Sequence, residues 1–351
     1  MQKEICYIVF LLLSGFVLTG YSQPGTFYNV KVSKFLMGTE VETDVQGPDI
    51  ATCQKALLLA YREMTRVENL LSFQIPTSEI NRINRYAGVR PVKVSDETFR
   101  ILERAKGYSE RFNGLFDVTI GALTYRWGFS NNNMNQQISI PSQKELAALL
   151  PLVNYKRMIL NERDTTVYLE KRGMKIDLGG IAKGYAIDRG VDVLRKNNIH
   201  QFFLNAGGDI YTSGKKDGVE NWWVGIKHPR HLDRIIARFK LSDYAVATSG
   251  DYERFAIIKG KRYHHIIDPR SGLPSARCQS VTILAPTAEE ADAIATYAFV
   301  AGIRHLKDNP QFHLPYFIVD GKGKVYYSPS LVARNRLEVI SEDKPLSESP
   351  Q

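Results

Sequence analysis

Between residues 201 and 284 the chain sets six short β-forming segments in a row, with no helical stretch to separate them. They run from Gln201 to Leu204, Trp222 to Lys227, Ile235 to Leu241, Phe255 to Ile258, Tyr263 to Ile267 and Ser280 to Leu284. Strands outnumber helices and are often adjacent in sequence, and the shortest gaps, as between Ile258 and Tyr263, leave no room for the crossover of a dozen or more residues that parallel neighbours need. The class is therefore α+β: largely antiparallel sheets with flanking helices.

Helical signals lie outside that run or at its edge. An apolar-periodic helix is expected from Pro48 to Leu71, after extended segments around Met37-Gly38-Thr39. Ser95 can cap a second helix that Gly114 stops, and Ser142-x-x-Glu145 opens a short third. Met158 to Leu160 and Val167 to Leu169 read as a hairpin. A strand from Met174 to Leu178 leads through Gly179-Gly180 into a helix from Ala182 to Lys196. Thr287-x-x-Glu290 opens a last major helix that runs through Ala301 to Gly302. Asn- and Gln-rich residues Ser130 to Gln137 read as a surface loop.

The two ends set the organisation. Ile5 to Leu18 is an apolar stretch shorter than a membrane-spanning helix needs, and Gly20-Tyr21-Ser22 offers a small-x-small cleavage site. Residues 1–22 are expected to act as a signal peptide, 23–334 as one domain and 335–351 as a loose polar tail. The product would be exported and periplasmic, or anchored in the inner membrane if the signal stays uncleaved. Cys6 would leave with the signal, so Cys53 and Cys278 read as two buried thiols. No Cys-x-x-Cys or His-Glu-x-x-His occurs, which removes the usual zinc motifs.

Lys and Arg number 46 against 37 Asp and Glu, a formal net charge of +9. The cations are scattered and lack the aromatic interleaving of nucleic-acid binders, so no nucleic-acid partner is expected. A phosphate-bearing small molecule accounts for the same charge. Four glycine-containing loops suit it: Asp177 to Gly184, Asn205 to Asp209, Thr248 to Tyr252 and His264 to Gly272. Glycine lets backbone N–H groups approach an anion, and a loop that opens a helix adds the positive end of its dipole. Each loop alone is ordinary strand punctuation; their combination is the signal.

Chemistry-bearing side chains stand on these elements. Asp292, Ala295, Thr296 and Phe299 fall along one stripe of an apolar helix, so Asp292 and Thr296 can aim two oxygens at one point, as a hard cation accepts. Equally, Asp292 in the first helical turn can simply face water and favour the dipole. Lys183 is either a phosphate-binding cation or a solvated helix residue. His264 and His265, consecutive on an expected strand, point to opposite faces, and only one can face a given pocket. His228 and His231 are assigned no role.

In order along the chain, Met37-Gly38-Thr39, Leu71-Ser72-Phe73, Gly114-Leu115-Phe116-Asp117-Val118-Thr119, Ile176-Asp177-Leu178-Gly179-Gly180-Ile181-Ala182-Lys183-Gly184, Asn205-Ala206-Gly207-Gly208-Asp209, Ala247-Thr248-Ser249-Gly250, His265-Ile266-Ile267-Asp268-Pro269 and Ala291-Asp292-Ala293-Ile294-Ala295-Thr296 resemble the blocks of the ApbE-type FAD:protein FMN transferases. The resemblance implies FAD in a central cleft, contacted by Met37, Phe73, Leu115, Phe116, Asp117, Asp177, Lys183 and Ile267. It implies Mg²⁺ held by the Gly180 carbonyl, Asp292 and Thr296. It further implies transfer of FMN to a Ser or Thr of an acceptor protein, commonly a membrane redox-complex subunit, with release of AMP. Acceptors of the family carry an Asp-x-x-Thr-Gly-Ala-Thr-like segment. His265 is expected to take the hydroxyl proton, titrating in the imidazole range, with Asp268 either orienting it or forming a plain turn. Two departures stand out: Ala295 occupies a position acidic in some relatives, and Tyr21 replaces the cysteine that would carry a lipid anchor.

Overall fold

Strict alternation along the strands builds a sheet with two buried faces. Ala245, Ala247, Val281, Ile283 and Ile318 join one core, whereas Val246, Leu284, Phe317 and Val319 join another. Successive side chains on a strand point to opposite faces, so these alternate memberships put a layer of structure on each side of the sheet. The computed structural model describes residues 20–22, 27–129, 138–309 and 312–340. The expected Ser130 to Gln137 loop and most of the expected signal segment lie outside them.

The main sheet has nine strands, in the spatial order Gly20–Ser22, Tyr28–Leu36, Thr39–Gly47, Gln201–Ala206, Asp209–Ser213, Tyr244–Gly250, Cys278–Ala285, Tyr316–Asp320 and Val325–Tyr327. Every neighbouring pair is antiparallel. On one face pack the helices Ile50–Leu71, Ala182–Lys196 and Ala288–Ala301, which bury the larger core with it. On the other, the Trp222–Lys227 and Ile235–Leu241 strands contribute Val224, Ile226, Ala237, Phe239 and Leu241 to the smaller core. Cys53 and Cys278 are separate buried thiols. No helix among the described residues is long and apolar enough to cross a membrane.

Local chemistry fixes the helix starts. Asp49 caps Ile50–Leu71, Ser95 caps Asp96–Arg111, Ser142 and Glu145 form the reciprocal box at Gln143–Leu149, and Thr287 caps Ala288–Ala301. The last of these helices is buried nearly all round, and its first two N–H groups donate to the Asp188 carboxylate at 2.8 Å each. Burial pushes the Asp188 carboxyl up to about 7 despite those bonds.

Four sequence expectations need correction. Met174 to Leu178 is not a strand: its backbone is satisfied instead by the Asn84 side chain, which bonds both N–H and C=O of Ile176, and by Val118 and Gly121. The strand expected at Tyr263 to Ile267 is shifted to Lys261–His264, paired with Phe255–Ile258 in a two-stranded ribbon. Thr248 to Gly250 closes a strand rather than forming a glycine loop. The loose tail does not begin at 335, because Glu338–Val339 pairs with Ile235–Leu241.

One contact decides how the site helices meet. A Cβ on Gly184 would stand 2.2 Å from the Ala288 carbonyl oxygen, so the helices Ala182–Lys196 and Ala288–Ala301 touch backbone to backbone there. Gly184→Ala should therefore destabilise the protein by about 1–3 kcal/mol, an overpacking cost read by urea unfolding. An unchanged midpoint would show that the helices can separate freely.

Candidate functional site

A cleft of about 480 Å³, within the usual range for small-molecule sites, opens where these elements converge. Each wall has a local cause. The Tyr28–Leu36 and Thr39–Gly47 strands are joined by Met37 and Gly38, both at positive φ (55° and 71°), the geometry of a tight hairpin turn. That turn presents Met37 to the cleft. Asp117 is buried and accepts from Thr119 N, Thr119 Oγ1 (2.6 Å) and Tyr155 N, holding the Leu115-Phe116-Asp117 turn in place. Asp177 accepts from Thr124 Oγ1 at 2.7 Å and from Gly179 N, which shapes the glycine turn ahead of the Ala182–Lys196 helix.

All twelve residues singled out from the sequence line this one cleft: Met37, Phe73, Leu115, Phe116, Asp117, Asp177, Gly180, Lys183, His265, Ile267, Asp292 and Thr296. Gly180 lies against the helix that carries Asp292 and Thr296, since a Cβ on it would stand 2.9 Å from Thr296 Oγ1. Any larger residue would fill that corner. Ala295 points elsewhere, into the larger core.

Charge in the cleft is unbalanced. Lys183 Nζ lies 2.8 Å from Asp209 Oδ2, and Asp209, Glu253 and Asp292 outweigh burial to hold the lysine pKa above its usual value. Lys183 thus bears on three carboxylates, and Lys227 and Arg254 are the other cations that line the cleft. Asp292 is 6% exposed and has the Gly184 N–H at 3.1 Å; burial, then Asp209, push its carboxyl well above the usual range. Glu253 is exposed at the lip of the cleft it lines, yet loss of solvent on its cleft side and the nearby Asp209 push its carboxyl up, against the pull of Lys183. A corner that brings the buried Asp292 carboxylate and the Thr296 hydroxyl beside the Gly180 backbone fits a hard divalent cation. Among the described residues no three His, Cys, Asp or Glu side chains cluster as a metal site, so such a cation would draw on the hydroxyl and carbonyl oxygens too.

The two histidines differ sharply. His264 is buried edge-on to Phe299, donates from Nε2 to the Ser275 carbonyl at 2.8 Å and accepts at Nδ1 from Ile266 N. Both ring nitrogens are used in holding the chain. His265 lines the cleft, and its Nδ1 lies 3.3 Å from the Arg254 carbonyl. A carbonyl can only accept, so Nδ1 carries the proton and Nε2 keeps its lone pair. Burial, the Arg254 charge and His264 push His265 down to about 3, well below the imidazole range expected from the sequence. Asp268 does not orient it: both carboxylate oxygens are taken by Arg270, and Asp268 forms a turn. Sequence reasoning gave no role to Asp209, Glu253 or Arg254. Only the position of Asp209 after Gly207-Gly208 hinted at a site.

Fold and cleft define a class: antiparallel α+β proteins in which helix ends and tight turns frame an acidic cleft. A model of the ApbE family matches residues 37–311. An FAD:protein FMN transferase of Klebsiella pneumoniae is 34% identical over 275 residues, 77% of this chain and 82% of that protein. The ApbE protein of Thermotoga maritima superposes with a TM-score of 0.81 at 35% identity, covering 87% of this chain and 98% of that one. For the flavin transferase ApbE of Vibrio cholerae the TM-score is 0.77 at 29% identity, over 88% and 99%. The chain belongs to the ApbE family.

Proposed function

We propose that this protein is an enzyme that transfers FMN from FAD to a Ser or Thr hydroxyl of an acceptor protein and releases AMP. The observation that carries the reading is the convergence, in one cleft, of a histidine with a free Nε2 and a corner of oxygen-bearing groups suited to a cation at Gly180, Asp292 and Thr296. The relatives named for this activity support it.

In this reading Met37, Phe73, Leu115 to Asp117, Asp177, Lys183 and Ile267 hold FAD, and Gly180, Asp292 and Thr296 hold Mg²⁺. The cation supplies neutralisation of charge on the departing phosphate oxygens. The acceptor hydroxyl oxygen bonds to the phosphorus nearer riboflavin, and the bond from that phosphorus to the bridging oxygen breaks, leaving AMP with the electron pair. His265 Nε2 takes the hydroxyl proton and later gives it to solvent. Export to the periplasm, with a membrane redox subunit as acceptor, is the setting we infer from the apolar residues 5–18 and the family resemblance.

The test uses the full chain with FAD, Mg²⁺ and a peptide bearing an Asp-x-x-Thr-Gly-Ala-Thr segment. We expect a covalent flavin–peptide adduct, fluorescent on a denaturing gel, and AMP in equal amount. If AMP and free FMN form at the same rate without peptide, water is the acceptor and the protein is an FAD pyrophosphatase.

A further inference from the structure

Arg254 and His265 flank the base of the ribbon formed by Phe255–Ile258 and Lys261–His264. One carbonyl ties them together: Arg254 O accepts from the His265 backbone N–H at 3.1 Å and lies 3.3 Å from its ring Nδ1. The guanidinium of the same residue extends to the opposite wall, where its Nη2 would be 3.3 Å from a Cβ on Gly38. Arg254 and His265 both line the cleft. Arg104, Arg126 and Arg230 are each clasped by a carboxylate, but among the described residues the Arg254 guanidinium has no hydrogen-bond or ion-pair partner. An open guanidinium in a cleft presents a planar fork that matches the oxygens of a phosphate.

We propose that Arg254 is a positioning residue of the transfer reaction: its guanidinium engages the diphosphate of the dinucleotide while its carbonyl aims His265. The inference rests on the transferase reading. Its logic is electrostatic. Loss of solvent, then the Arg254 guanidinium, His264 and Lys183, act against protonation of His265, and the Arg254 carbonyl acts for it. An anion seated on Arg254 cancels the nearest of those charges, and the imidazole becomes a better proton acceptor only when substrate is present. Without substrate it stays neutral and idle. Glu253, adjacent to Arg254, would compete for the guanidinium, but Lys183 draws on it as well.

ADP, which carries a diphosphate and no FMN to transfer, is the probe, used with the full chain and Mg²⁺. Arg254→Gln should weaken ADP binding about tenfold or more by calorimetry. In the ADP-free variant the His265 titration midpoint, followed by histidine NMR, should rise by about one pH unit, because a repelling charge has gone. Arg254→Lys should keep the midpoint near that of the parent and recover only part of the affinity. The backbone carbonyl survives in both variants, so a purely structural role for Arg254 predicts neither change. Unchanged ADP affinity, or an unchanged midpoint, in Arg254→Gln overturns the proposal. Failure of the parent protein to bind either ADP or FAD would instead sink the transferase reading itself.

Discussion

Asp292→Ala should lower FMN transfer by about 10³-fold, since it removes the one carboxylate at the cation corner and about 4 kcal/mol of transition-state stabilisation with it. The fold should survive. Burial and the neighbouring Asp209 disfavour the Asp292 carboxylate, so its removal relieves that cost even as the Gly184 N–H loses a partner. Those two effects oppose each other at about 1 kcal/mol each, and the thermal midpoint should move by no more than about 4 °C. Rates are to be compared at saturating FAD and defined Mg²⁺ after chelator washing. Transfer at the parent rate in this variant would remove Asp292 from the cation site.

His265→Ala should lower transfer by about 10²- to 10⁴-fold, the usual worth of a general base, with FAD affinity nearly unchanged. His264→Ala should do something different in kind. It leaves the Ser275 carbonyl and the Ile266 N–H without their partners, which costs about 1–3 kcal/mol of stability rather than chemistry. The pH dependence carries a sign. A histidine whose pKa lies at about 3 in the free protein stays in its proton-accepting form throughout the neutral and mildly acidic range. The kcat/KM of the parent, which reports the free enzyme, should therefore show no His265-dependent fall between pH 7 and 5. A fall centred near 6.5 that vanishes in His265→Ala would contradict the burial and Arg254 effects described above. Equal rate losses in the two histidine variants would mean that the base lies elsewhere.

Caps and turns made most of the fold readable. Ser95, Ser142 with Glu145, and Thr287 start helices where their side chains say they should, and the Ala182–Lys196 helix and the strands Trp222–Lys227 and Ile235–Leu241 fall on the expected bounds. What misled is equally physical. Met174 to Leu178 has the composition of a strand, but its hydrogen bonds go to a side chain, Asn84, that lies 92 residues away from Ile176. No local pattern encodes that partner. The site was readable in halves. The one-turn spacing of Asp292 and Thr296 is a helical signal, and so is the lysine after a glycine turn. Asp209 gave only a faint signal, since a lone acid after Gly-Gly is common, and Glu253 and Arg254 gave none, since an acid and a base after a strand are an ordinary surface pattern. Only the tertiary arrangement brings three carboxylates to one lysine and turns Arg254 toward Gly38.

The contact at Gly184 bears on which cations such a protein could be adapted to use. At Gly184 the backbones of the two helices touch at the Ala288 carbonyl, so their separation at that point is a main-chain distance. Evolution or an engineer could exchange the oxygen donors on Ala288–Ala301, but not widen the space that those donors face. Preference for a small ion over a large one would then be inherited from main-chain geometry rather than from ligand identity. Calcium competition assays across substituted donors should all keep the same order of ionic radius, and a broader choice of ion would first require a different way for the helices to meet.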